Sequence, residues 1–192
     1  MDRDFVLNHV IPYSLTAVST MSIALAYAES WDAPKRMEVY FDGKLSVEGS
    51  SNAFVSLAVE SGLMHCRALL EFMGLCVKVD KLANIQSRRP DDVGIELFSS
   101  ASGPLSMVTP AQVVSHYTGP TAEAERALVA VLHVTNKGLA HITTSLNASL
   151  AGGNALEIAT RGIPSLVISH LYTPLGLQAP DFQVKGRLRG GC

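Results

Sequence analysis

The side chains best equipped for chemistry gather in one stretch, where His133, Asn136, Lys137 and His141 stand close together in the chain. His141 has the type of side chain that serves as a general acid or base near neutral pH, or equally as a core or interface histidine bonded to a backbone or hydroxyl group. Asn136 is either a polar contact to a ligand or a buried amide that fixes how two helices meet. Arg67 and Glu71 are four apart and match a helical salt bridge. His133 and His141 are eight apart, a helical rise of about 12 Å, too far to ligate one metal. The chain has no HExxH, no closely spaced carboxylate set and no glycine-rich phosphate loop, and its 6 histidines are scattered. No metal and no cofactor are expected.

These residues must be held by helices. Leu128, Leu132, Thr135, Leu139, Ile142 and Leu146 repeat at steps of four and three, one side of a continuous helix over 121–150, and the polar set falls outside that stripe. A second long helix starts after the cap signals Ser50-Ser51-Asn52 and reaches about Gly74. It carries one apolar stripe at Phe54, Leu57, Ser61, Met64, Ala68, Phe72 and Leu75, and another line at Leu63, Leu70 and Met73. Such a helix is buried on two sides, at the centre of a bundle or between the bundle and a partner subunit.

An opening helix over about 4–29, kinked at Pro12, a short helix after Thr109-Pro110 and a last helix to about Leu171, broken near Gly162 to Pro164, complete the set. Met37 to Phe41 reads as a strand or an extended loop, and 81–120 as a long surface connection. The expected fold class is all-α: a bundle of about five helices with 54–74 and 121–150 packed antiparallel at its centre. Residues 1–180 form a single domain and 181–192 a flexible tail.

Composition narrows the setting. Charged residues are 17% of the 192 and hydrophobic ones 47%, against roughly 25% charged in an average soluble protein. A chain so poor in charge is expected to hide apolar surface in a homodimer or larger assembly. The net charge of −2 gives no global attraction to nucleic acid. Three cysteines in no CxxC pattern exclude a disulfide framework and fit a reducing cytoplasm. The span from Phe5 to Ala28 lacks charge, yet Asn8, Tyr13, Ser14, Thr16 and Pro12 lead us to expect a buried or interface helix rather than a membrane span, and Met-Asp-Arg-Asp lacks the positive charge expected of a secretory signal. Two short matches, Asn147-Ala148-Ser149 as a glycosylation acceptor and the tail Arg187-Leu188-Arg189-Gly190-Gly191 as a ubiquitin-like end, fail on context.

The segment from Glu60 to Phe72, with His65 and Arg67 ahead of an apolar helix end, resembles the first core helix of HEPN-like bacterial proteins. Arg89-Pro90-Asp91-Asp92-Val93 is similar to the acidic loop that follows it, and Thr135 to Thr143 to their second signature, Asn-Lys then Ala-His. The resemblance implies a dimerising helical bundle of toxin–antitoxin or phage-defence settings, with RNA or an antitoxin protein as partner. Many such proteins are metal-independent ribonucleases, with an Arg, a polar residue and then a His four to six positions on. This chain keeps Asn136 and His141 but has Thr135 in the Arg position. The Arg is the natural stabiliser of phosphorane charge, so Lys137 or Arg67 would have to contact phosphate in its place. The reading that follows is an interaction or regulatory module without chemistry, and the alternative is a ribonuclease using His141 and Asn136.

Overall fold

The computed structural model describes residues 2–138 and 153–186. Helix α1 (Arg3–Ser30) opens on Asp2, whose side chain accepts from the Phe5 N–H, and widens to a π turn over Val6–Val10 just before Pro12. Proline lacks an N–H and its ring crowds the preceding turn, so the irregularity falls where the kink was expected. Ile11, Leu15, Val18, Met21 and Ala24 form its buried face.

Strands β1 (Arg36–Phe41) and β2 (Lys44–Ser50) make an antiparallel hairpin around Asp42 and Gly43, both at positive φ, as a two-residue turn of the primed type requires. Helix α2 (Ser51–Phe72) follows directly, capped by Ser50, whose hydroxyl accepts from the Asn52 N–H. Gly74, at φ +90, ends it. The broadest helix–helix contact is α1 against α2. Gly62 permits it, because a Cβ there would collide with the Met21 side chain. Both helices are long and apolar enough to cross a bilayer on length and composition alone, and they pack on each other inside the fold.

Strands β3 (Leu75–Lys78) and β4 (Lys81–Asn84) form a second hairpin, turning on Val79 and Asp80 at φ 51 and 56. A 3-10 turn (Ile95–Leu97) and the short pair β5 (Ser99–Ser100) and β6 (Gly103–Pro104) lead to α3 (Pro110–Ser115), which starts in a capping box between Thr109 and Gln112. Helix α4 (Thr121–His133) runs on into a π turn, Val134–Gly138, and α5 (Gly153–Val167) into another, Ile168–Tyr172. The Tyr172 hydroxyl donates to the Leu7 carbonyl at 2.8 Å, tying the last π turn to the first.

Four expectations are corrected, one of them the break near Gly162 to Pro164, since α5 runs through both residues. The fold is mixed α/β, with three two-stranded antiparallel sheets among the described residues, rather than an all-α bundle. The first hairpin turns on Asp42 and Gly43, residue types that accept positive φ. The second begins where Gly74 cuts off an apolar run that reads as helix, and it turns on Val79 and Asp80 in spite of the cost of positive φ at a β-branched residue. The central pair is α1 with α2, not α2 with the 121–150 segment, of which 139–152 lies outside the described residues. The 81–120 segment is also no bare surface connection, since Leu82, Ile95, Phe98, Val108 and Val113 are core residues and the Asn84 amide donates to the carbonyls of Gly74 and Val108. The α4 stripe holds as far as it is described, with Leu128, Leu132 and Thr135 buried.

Candidate functional site

Of the proposed catalytic pair, His141 lies outside the described residues, and Asn136 is exposed in the π turn after α4. Asn136 is therefore not the buried amide that would fix a helix crossing. Lys137 shares that turn by its backbone, and its side chain lies outside the described set. Thr135 is buried, and its hydroxyl donates back to the Val131 and Leu132 carbonyls at 2.9 and 3.0 Å. The position where the resemblance wants an Arg thus holds a small group spent on its own helix. His133 turns away to pair with Asp80 at the β3–β4 turn, Nε2 to Oδ1 3.0 Å.

Arg67 is on a different site. Its Nε donates to Glu71 at 2.8 Å, the expected salt bridge, and it lines a cleft of about 440 Å³ together with Phe72, Arg88, Arg89 and Asp92. The structure therefore brings Arg67 and the 89–93 loop together. Arg88 is the organiser of this cleft: its side chain is only 12% exposed, Nη1 donates to the Glu71 carbonyl at 2.8 Å, Nη2 to the Phe72 carbonyl at 3.0 Å, and Nε and Nη2 both reach Glu96. It satisfies carbonyls left open at the end of α2, which a cation there favours. Gly94 has no Cβ because one would run into the Arg88 guanidinium. Burial pushes the Glu96 carboxyl up, but the Arg88 hydrogen bond, a backbone bond and the Arg88 charge outweigh it and hold the group below its usual range.

Two further constellations were not visible in sequence spacing. His65 Nδ1 lies 3.1 Å from the Ser14 hydroxyl, 51 positions away. Ser14 already donates its one proton to the Val10 carbonyl at 2.9 Å, so the imidazole is the donor and the serine is no activated nucleophile. Burial lowers the His65 pKa. Elsewhere, α3, α4 and α5 enclose a second cleft, of about 360 Å³, with His116 and Arg161 at its rim. Its residues come from three elements, which no local motif encodes.

The outward face of α2 is apolar and open to solvent. Leu57 is 68% and Met64 47% exposed, and Phe54, Ser61 and Ala68 are exposed with them. Of the two apolar lines read from the sequence, Leu63, Leu70 and Met73 are buried, with Phe72 and Leu75 from the end of the stripe, while the rest of the stripe faces outward. Tyr13 of α1, edge-on to His65 with ring centres 5.0 Å apart, extends that apolar face.

No family model matches this chain, and neither a curated protein nor a solved structure is similar enough to count as a match.

Proposed function

We propose that the chain is a HEPN-like helical interaction module that works as a homodimer in the cytoplasm, without chemistry of its own. The observation that carries this reading is the exposed line Phe54, Leu57, Ser61, Met64 and Ala68. Its steps of three and four are those of a coiled-coil seam, with small residues at Ser61 and Ala68 where two backbones can approach. Taking about 200 Å² for a fully exposed large side chain, Phe54, Leu57 and Met64 of this face together with Tyr13 expose roughly 400 Å². That is about half of what each partner contributes to a standard interface. The hairpin adds to the case, because two strands exposed on both faces are marginal alone in water.

A second copy fits this face better than an unlike partner. Glu60 and Arg67 flank the line seven residues apart on one side. An antiparallel, two-fold pairing about Ser61 sets Phe54 against Ala68 of the partner subunit, puts the small Ser61 on the axis and leaves Glu60 and Arg67 of both copies beside the seam, so the line can meet itself. Light scattering is expected to give about twice 20.5 kDa for the purified chain. Leu57→Glu is expected to halve that mass while the circular dichroism stays unchanged. A wild-type monomer at micromolar concentration contradicts the proposal.

The ribonuclease alternative has one supporting observation, the shared cleft of Arg67, Arg88 and Arg89. It requires RNA degradation by wild-type protein in chelator, abolished by His141→Ala with the fold intact. Equal inertness of both proteins over a broad RNA panel removes it.

A further inference from the structure

The cleft between α3, α4 and α5 combines an apolar floor with a polar rim whose described lining residues include no carboxylate, the nearest being Glu157 on Arg161 and Glu123, which accepts from the Tyr117 hydroxyl at 3.3 Å. Val113, Leu128 and Leu166 make the floor, and His116, Thr118, Arg161 and Ser165 stand around it. Its volume, about 360 Å³, is in the range of small-molecule sites, which pair an apolar body with a few placed polar groups. Gly162 of α5 also lines it, and a Cβ built there would meet nothing within 4 Å, so the missing side chain leaves open space inside the cleft. Among the described lining residues, Arg161 is the one with a permanent charge. It pairs with Glu157 one turn back, but the pair is exposed, with side chains 72% and 58% accessible. An exposed pair of this kind contributes little, so the guanidinium can turn its remaining N–H groups to a ligand.

The side chains of His116, Thr118 and Ser165 make no hydrogen bond to the described residues, and they offer further polar groups on the same rim. His170 backs the His116 ring edge-on, centres 5.1 Å apart, with its own Nε2 buried and without a partner among the described residues. Burial, then the neighbouring His116, pull the His170 pKa down, so it stands behind the rim as a neutral ring at pH 7. One guanidinium, shared with an exposed Glu157, and several uncommitted polar side chains suit a single negative charge. A phosphate dianion would lack its second counter-charge.

We infer that this cleft binds a small monocarboxylate with an aromatic or branched apolar body, the carboxylate on Arg161 and the body over Val113, Leu128 and Leu166. The test is calorimetric titration of the full chain with phenylacetate and 4-methylpentanoate, and with neutral phenylacetamide as the isosteric control. One site per chain is expected for at least one of the acids, with a Kd of about 1 mM or tighter, a value ordinary for ligands of this size. The amide should bind at least roughly tenfold more weakly, the worth of a hydrogen bond to a charged group. Arg161→Met should cut acid binding by the same factor and leave the amide unchanged. Gly162→Leu fills the open space while favouring the helix, so it should abolish binding with the circular dichroism intact. The inference is overturned if neither acid binds, if the amide equals phenylacetate, or if Arg161→Met or Gly162→Leu binds as wild type does.

Discussion

The two faces of α2 carry similar apolar side chains and meet different surroundings. Inward, Leu63, Cys66, Leu69, Leu70 and Met73 are fully buried against α1 and the elements behind it, and Gly62 lets Met21 come close. Outward, Phe54, Leu57 and Met64 stand in solvent with Ser61 and Ala68 between them. The difference teaches that periodicity identifies an apolar face without saying whether its cover is in the same chain. Steric fit decides, and α1 can approach only on the side where Gly62 leaves room.

The comparison breaks most sharply under substitution. Leu70→Ala on the inner face should cost about 2–5 kcal/mol in urea unfolding at every protein concentration, because the cavity cannot collapse. Leu57→Ala on the outer face should cost little in dilute solution and more as concentration rises, since only the assembled form loses a contact. Equal costs for the two, independent of concentration, would erase the distinction. Next in size is Arg88→Met, expected to lose about 2–3 kcal/mol by leaving Glu96 and the α2 carbonyls without their donor. Urea unfolding of that variant near wild-type stability would show that the inner face holds α2 without help at its end. The wild-type contribution also depends on pH. The Glu96 carboxyl is depressed in the fold, so its share of stability is present above the ordinary value of 4.5 and is lost as pH falls through the lower folded value.

The smallest effect belongs to His65, at the boundary of the two faces. Burial lowers its pKa from 6.5, so the unfolded chain takes up a proton before the folded chain does. Stability present above pH 6.5 therefore falls as the solution is acidified below that value. His65→Gln keeps a donor toward Ser14 and should shallow that part of the pH–stability curve. An unchanged slope would mean that the ring is as solvated folded as unfolded.

Much of the helical frame was legible. The Ser50 cap, the Thr109-Pro110 start and the Leu128, Leu132, Thr135 stripe all follow from local rules of capping and periodicity. The hairpin over 75–84 was not, because Leu75, Cys76 and Val77 continue an apolar run and its turn uses Val79, a β-branched residue that rarely takes positive φ. Side-chain logic beyond the local window was equally hidden. Arg88 falls in the stretch read as a surface connection and proves to be the part-buried cap of α2, and His116 joins Arg161 and Gly162 only once the helices are packed. For the candidate site, Arg67 and the 89–93 loop do converge, while Asn136 and Thr135 face different environments, one in solvent and one in the core.

The central claim, that the outer face of α2 is covered by a second copy, is tested most directly by cross-linking between two exposed serines of that helix. Ser61 lies on the apolar line and Ser56 off it. In a Cys192→Ser background under mild oxidation, Ser61→Cys should convert the chain to a covalent dimer while Ser56→Cys and the parent stay monomeric on a non-reducing gel. Equal cross-linking of both serine positions, or none at Ser61→Cys, would contradict the account.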